Sequence, residues 1–188
     1  MIEFSIIIPA FNEEERLGAT LDEICDYLQS SDKPAEVIVV DDGSTDRTVA
    51  LAREWSDRLT LRVIESPQNM GKGHAVRVGM LAADGKKRLF TDADGSTPIA
   101  ELDALDAALD EVGGRGVAFA SIALPDSVVL SPQSKLRSVA GRLGNLLIQL
   151  MMLPGVQDSQ RGFKLFSADA AEAAFSKATV DGLSLIHI

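Results

Sequence analysis

Glu36-Val37-Ile38-Val39-Val40-Asp41-Asp42-Gly43-Ser44 is a β-branched run that stops abruptly at two carboxylates and a turn. Val, Ile and a short length bounded by turn residues read as a buried strand. Similar runs recur at 2–9, 59–65, 87–92 and 116–122, and the intervals between them carry helical periodicity. Leu17, Leu21, Ile24, Cys25 and Leu28 fall on one helical face, with Glu13, Glu14 and Glu15 near its positive N-terminal end. A second helix is expected after Ser44 and Thr45, a third over 74–83, and a fourth from Thr97-Pro98, where threonine can cap and proline suits the first turn.

This βαβαβαβ order predicts an α/β fold, a mostly parallel sheet with helices on both faces, because parallel strands need crossover connections. Ligands of such sheets gather at the carboxyl edge. Three polar clusters should project there: Pro9-Ala10-Phe11-Asn12-Glu13, Asp41-Asp42-Gly43-Ser44 and Asp92-Ala93-Asp94.

The 188 residues suit one domain with a substantial core. A formal net charge of -10 argues against nucleic acid as a partner, since a phosphate backbone would be repelled. Cys25 is the only cysteine, which excludes an intrachain disulfide and a cysteine zinc cage and fits a reducing cytoplasmic setting. The N-terminus reads as the start of the fold rather than a signal peptide. The apolar stretch 146–153, interrupted by Gln149, is far shorter than the ~20 residues that span a bilayer.

Each cluster has a plain reading and a chemical one. Asp41 and Asp42 can accept hydrogen bonds from ribose hydroxyls or a base, yet Asp, Gly and Ser are also ordinary turn residues, and taken alone the turn is the simpler account. Asp92 and Asp94, two positions apart, can present oxygens to one hard cation such as Mg²⁺ or Mn²⁺; alone they read first as a solvated acidic loop, and beside the other two clusters the order reverses in favour of the cation. In Asn69-Met70-Gly71-Lys72-Gly73-His74, backbone N–H groups and Lys72 could approach phosphate, or the segment is a turn with an exposed lysine. It lacks the spacing of a Walker A loop.

Taken in order, 7–13, Val39-Val40-Asp41-Asp42-Gly43-Ser44-Thr45-Asp46, 69–73, Asp92-Ala93-Asp94-Gly95 and Asp158-Ser159-Gln160-Arg161-Gly162-Phe163-Lys164 make the chain resemble family 2 glycosyltransferases of the GT-A fold, notably dolichyl- or polyprenyl-phosphate glucosyl- and mannosyltransferases. The resemblance implies that Pro9, Ala10, Glu13 and Asp42 line a nucleoside pocket, with Lys72 and Asp92 also on the donor. It implies that Asp92 and Asp94 hold Mg²⁺ or Mn²⁺, and that Asp94, Asp158 and Gln160 serve catalysis near sugar and acceptor. Asp94-Gly95-Ser96-Thr97 looks like the glucosyl branch, so UDP-glucose is the expected donor and GDP-mannose the other candidate. Where relatives often have Gly-Ser-Arg, this chain has Ala120-Ser121-Ile122.

Arg137, Arg142 and Arg161 are candidate grips for acceptor phosphate, because guanidinium binds phosphate oxygens bidentately; as single arginines they read equally as solvated charge. Leu136, Val139, Leu143, Leu147 and Leu150 share a helical stripe that suits core packing or a helix at a membrane interface. The expected reaction is an inverting transfer of a hexose to a lipid phosphate at the cytoplasmic face of a membrane. The alternatives are a saccharide acceptor or an inactive nucleotide-sugar-binding fragment. A homo-oligomer stays open. Past Asp181-Gly182 the chain reads Leu183-Ser184-Leu185-Ile186-His187-Ile188, unlike the family, so the expectation is a catalytic domain over 1–182, C-terminally truncated, with 183–188 a non-native or atypical tail.

Overall fold

The computed structural model describes residues 1–119 and 162–177. The chain divides into two compact units, 1–119 with 162–188, and 120–161; the second lies outside the described residues. The first is built from β1 (Phe4–Ala10), α1 (Leu17–Ser31), β2 (Ala35–Asp41), α2 (Thr48–Arg53), β3 (Leu61–Glu65), α3 (Lys72–Ala82), β4 (Lys87–Phe90), α4 (Glu101–Glu111), β5 (Val117–Phe119), β6 (Lys164–Ser167) and α5 (Ala168–Phe175).

The sheet order is β3-β2-β1-β4-β6-β5. β1 pairs in parallel with β2 and β4, and β2 with β3, as the alternating sequence requires. β6 enters antiparallel between β4 and β5. The strand order reverses beside β1, with β2 on one flank and β4 on the other, and at such a reversal the loops after the two diverging strands part to leave a crevice.

Side chains alternate across a strand. Ile7, Ile38, Val40 and Phe90 therefore join Ala75, Val76 and Met80 of α3 and Ala171 and Phe175 of α5 in one buried cluster, with Phe166 from β6. Phe166 and Phe175 meet edge to face at 5.3 Å between ring centres, and truncating either to alanine costs about 3–5 kcal/mol by the usual large-to-small rule. Alternation turns Ile6 and Ile8, both fully buried, to the opposite face.

Several element ends differ from the sequence expectation. β3 begins at Leu61 rather than Leu59, because the amide of Leu59 donates to the carbonyl of Trp55 (2.9 Å) in the turn closing α2. β4 stops at Phe90: Thr91 N donates to Ile7 O at 3.0 Å, and the chain then turns, leaving Asp92 in a loop. α3 starts earlier than expected, with Lys72 as its first residue. The expected cap at Thr97 is corrected, since α4 begins at Glu101 without a side-chain cap from its own N-cap residue. The preceding turn is held instead by Glu23 of α1, whose Oε1 accepts from Ile99 N at 3.0 Å. β6 and α5 had no counterpart in the expected elements.

Candidate active site

The carboxyl ends of β1 and β2 are level, Ala10 pairing with Asp41, and Asp42 N continues the ladder to Ala10 O at 2.8 Å. The loops that follow are clamped together. Asn12 N donates to Ser44 Oγ (2.9 Å) while Thr45 N donates to Asn12 Oδ1 (2.9 Å), and Asn12 adopts φ +54°, a conformation that asparagine tolerates better than most residues. Glu13 N donates to Thr48 Oγ1 at 2.8 Å. Asp46 Oδ1 accepts from Thr48 N (3.0 Å) and the Thr48 hydroxyl (2.5 Å), and its Oδ2 from Glu14 N (3.2 Å). Burial pushes the Asp46 pKa up, but the bonds from Thr48 and Glu14 outweigh it and leave the carboxyl below its ordinary range. Asp46 thus caps α2 from just outside it, in the manner of an Asx-turn.

The clamp leaves two acceptors open. Asp41 is buried; its Oδ2 accepts from Gly43 N (3.1 Å) and Ser44 N (3.0 Å), whereas Oδ1 is buried with no hydrogen-bond partner. Glu13 Oε1 pairs with Arg16 at 2.7 Å, and its Oε2 is likewise buried without a partner. Buried polar atoms are nearly always hydrogen-bonded, so an orphaned carboxylate oxygen at a ligand-binding edge suits a donor from outside the chain, such as a hydroxyl or a base N–H. Pro9 and Ala10 supply the strand end beside them.

Asp42, expected against the nucleoside, has a structural task here. Its Oδ1 accepts from Met70 N and its Oδ2 from Gly71 N, both at 2.8 Å, with the residue buried. Gly43 must be glycine: at φ +77° a Cβ would lie 2.5 Å from the Gln68 backbone. These contacts draw the 68–71 loop onto the end of β2 and so fix where α3 begins.

From that start, Lys72 Nζ reaches Asp92 Oδ1 at 2.5 Å and lies 5.5 Å from the centre of the Phe90 ring. Gly162 also packs closely on Asp92, since a Cβ there would lie 2.1 Å from its Oδ2. The turn from Asp92 to Ser96 is tied to α1 by Thr20, whose hydroxyl donates to Ala93 O at 2.8 Å. Asp94 is exposed; its Oδ1 accepts from Ser96 N (3.0 Å), and Oδ2 lies 3.8 Å from Arg16 Nη1. Arg16 therefore spans Glu13 and Asp94, joining the loops after β1 and β4.

The donor set at Asp92 and Asp94 is all oxygen and partly solvent-facing, and Asp92 already holds a cationic group. Among the described residues, no group of three or more His, Cys, Asp or Glu is arranged to hold a metal. Mg²⁺ is usually bound by one or two carboxylates with its remaining positions left to water and phosphate, so the donor set of these residues fits a hard divalent ion.

The structure brings together Pro9, Ala10, Glu13, Asp42, Lys72, Asp92 and Asp94 at one sheet edge. Arg137, Arg142, Asp158, Gln160 and Arg161, with the interfacial stripe and the tail, lie outside the described residues. Sequence reading offered Asp41 and Asp42 together as acceptors without separating the open oxygen of Asp41 from the occupied ones of Asp42, and it missed the bridging Arg16, the clamp at Asp46 and Thr48, and the close approach of Gly162. Only Asp46 left a signal, an acidic residue two positions before a helix-starting threonine.

A mostly parallel sheet of this order, with acidic and basic side chains gathered at the β1/β4 reversal, has the GT-A fold. The chain belongs to glycosyl transferase family 2, whose profile matches residues 5–175. It is 38% identical to the dolichyl-phosphate beta-glucosyltransferase of Drosophila melanogaster over 96% of this chain and 59% of that protein. To the human protein of the same name it is 34% identical, over 95% of this chain and 59% of the relative. The chain thus spans about three-fifths of the length of these relatives. In fold it is similar to mannosyl-3-phosphoglycerate synthase from Rubrobacter xylanophilus, with a TM-score of 0.67 at 19% identity, covering 89% of this chain and 54% of that one.

Proposed function

We propose that the chain is the donor-binding and catalytic part of an inverting glucosyltransferase that moves glucose from UDP-glucose to dolichyl or polyprenyl phosphate. The observation that carries the reading is the mixed-charge edge, where Lys72 and Asp92 stand beside Asp94 at the β1/β4 reversal. A leaving nucleoside diphosphate needs cationic groups, and a divalent ion needs hard oxygens. Relatives named dolichyl-phosphate beta-glucosyltransferase support glucose as the sugar and a lipid phosphate as the acceptor.

In this reading the open oxygens of Asp41 and Glu13 receive hydroxyl or base donors of the nucleoside. Asp42 acts indirectly, by holding the loop that presents Lys72 to phosphate. Asp92 and Asp94 would hold Mg²⁺ or Mn²⁺, which supplies Lewis-acid stabilisation of the departing diphosphate. Arg137, Arg142 and Arg161 orient the acceptor phosphate, with Asp158 and Gln160 near sugar and acceptor. A phosphate oxygen is already charged near neutrality, so the site must position it more than deprotonate it. The acceptor places the protein at a membrane surface, on its cytoplasmic face; among the described residues no helix is long and apolar enough to cross a membrane.

The test is transfer of labelled glucose from UDP-glucose to polyprenyl phosphate with Mg²⁺ or Mn²⁺, alongside Asp94→Ala. Metal-dependent labelled lipid, reduced about 100-fold or more in the variant, is expected. Bound UDP without labelled lipid would move the acceptor to a saccharide, and absence of UDP binding would remove the nucleotide-sugar reading altogether. The anomeric configuration of the product reports inversion directly.

A further inference from the structure

We infer that Lys72 is the resident counter-ion of Asp92 in the donor-free protein, and that a divalent cation and a nucleoside diphosphate displace it together, so that neither binds well without the other. This rests on the donor-site reading above and adds to it an order of events.

The ammonium of Lys72 occupies one oxygen of Asp92 at 2.5 Å. Gly162 packs closely on the same carboxylate, since a Cβ there would lie 2.1 Å from Oδ2 and 2.5 Å from Oδ1. A cation approaching Asp92 must therefore compete with Lys72 rather than bind beside an idle carboxylate. The base of Lys72 is fixed, because Asp42 grips the two preceding amides, but its stem is a flexible four-carbon chain. Only the ammonium needs to move. Both partners are partly solvated, at 36% and 25% side-chain exposure, so the pair is weak enough to exchange reversibly.

A diphosphate offers the displaced ammonium a new partner at the moment the metal takes Asp92. Metal alone would take the partner of Lys72 and set two cationic groups side by side, whereas diphosphate alone would either meet an ammonium still held by Asp92 or draw it away and leave that carboxylate unpaired. Each ligand thus relieves the cost of the other, and linkage makes the gain reciprocal.

The experiment measures Mn²⁺ binding, by the paramagnetic resonance signal of the free ion, with and without UDP, in wild type, Lys72→Met and Lys72→Arg. Without UDP, Lys72→Met should bind Mn²⁺ about fivefold more tightly than wild type, the worth of one partly exposed ion pair. With Mn²⁺ present it should bind UDP more weakly, and the enhancement of Mn²⁺ affinity by UDP should shrink towards one. Lys72→Arg, which keeps the charge, should stay near wild type in both. Unchanged Mn²⁺ affinity in Lys72→Met with weakened UDP binding would reduce Lys72 to a phosphate ligand and overturn the exchange. Loss of both affinities together with a lowered melting temperature would make Lys72 a structural residue and overturn it equally. If wild type binds no UDP under any condition, the donor-site reading itself fails and the exchange falls with it.

Discussion

Gly162 lies so close to Asp92 that a methyl group in its place would overlap the carboxylate, at 2.1 Å from Oδ2. The obstruction is the tip of a short side chain rather than backbone, so the fold can yield while the site cannot. Gly162→Ala should leave the melting temperature within a few degrees of wild type and lower sugar transfer by about 100-fold, the order expected when a reacting group is misplaced by an ångström. Parallel melts and transfer rates check this.

Thr20 carries the same loop from the other side, through its hydroxyl on Ala93 O. Thr20→Val keeps the shape and leaves a carbonyl without its donor. A loss of about 1–3 kcal/mol in urea unfolding is expected, with transfer reduced because the Asp92–Asp94 turn loses its tie to α1.

Asp42→Asn separates two roles. If the carboxylate serves mainly to hold Met70 N and Gly71 N, an amide in its place sets a donor against a donor and costs about 1–3 kcal/mol of stability. A urea titration showing unchanged stability but weakened UDP binding would return Asp42 to the nucleoside pocket.

The clamp at Asp46 gives a pH dependence with a definite sign. Its pKa is lowered in the folded chain, so its contribution is complete above the unfolded value, about 3.9 for an aspartate, and is lost as pH falls through the lower folded value. Wild type should lose stability in that acidic window more steeply than Asp46→Asn, which should already be weaker at pH 7. Denaturant midpoints across the acid range decide it.

Tyr27, the sole tyrosine, has its phenol pushed up to about 12 by burial and by its hydrogen bond to Asp103. A raised folded pKa means stability that is full below the ordinary value near 10 and declines as pH climbs through the folded one. Phenolate absorbance, which here reports one residue, should therefore appear late in an alkaline titration and together with unfolding.

Much of the donor half was legible because its signals are local. β1 and β2 each announce themselves as apolar β-branched runs, and the carboxylates that end them must emerge at the same edge once the strands are parallel. Lys164-Leu165-Phe166-Ser167 gave no comparable signal: it is four residues long, passes straight into α5, and becomes a strand only because β4 and β5 wait on either side. The α4 entry was misjudged for a related reason, as its holder, Glu23, comes from a helix far earlier in the chain. The pairing of Lys72 with Asp92 and the press of Gly162 on Asp92 are likewise tertiary facts that spacing does not encode.

The strand pair β5–β6 has a consequence for engineering. Phe119 and Lys164 sit opposite each other in the ladder, so the chain leaves and re-enters the sheet through a doorway one residue pair wide. Everything between them is tethered at both ends to the same two strands. An insert from another family member, grafted at those two positions, would start and end on the same pair of strand residues. Chimeras cut there would exchange 120–163 as a cassette while keeping Asp41, Lys72, Asp92 and Asp94 in one piece, provided that the insert keeps a glycine at 162 against Asp92.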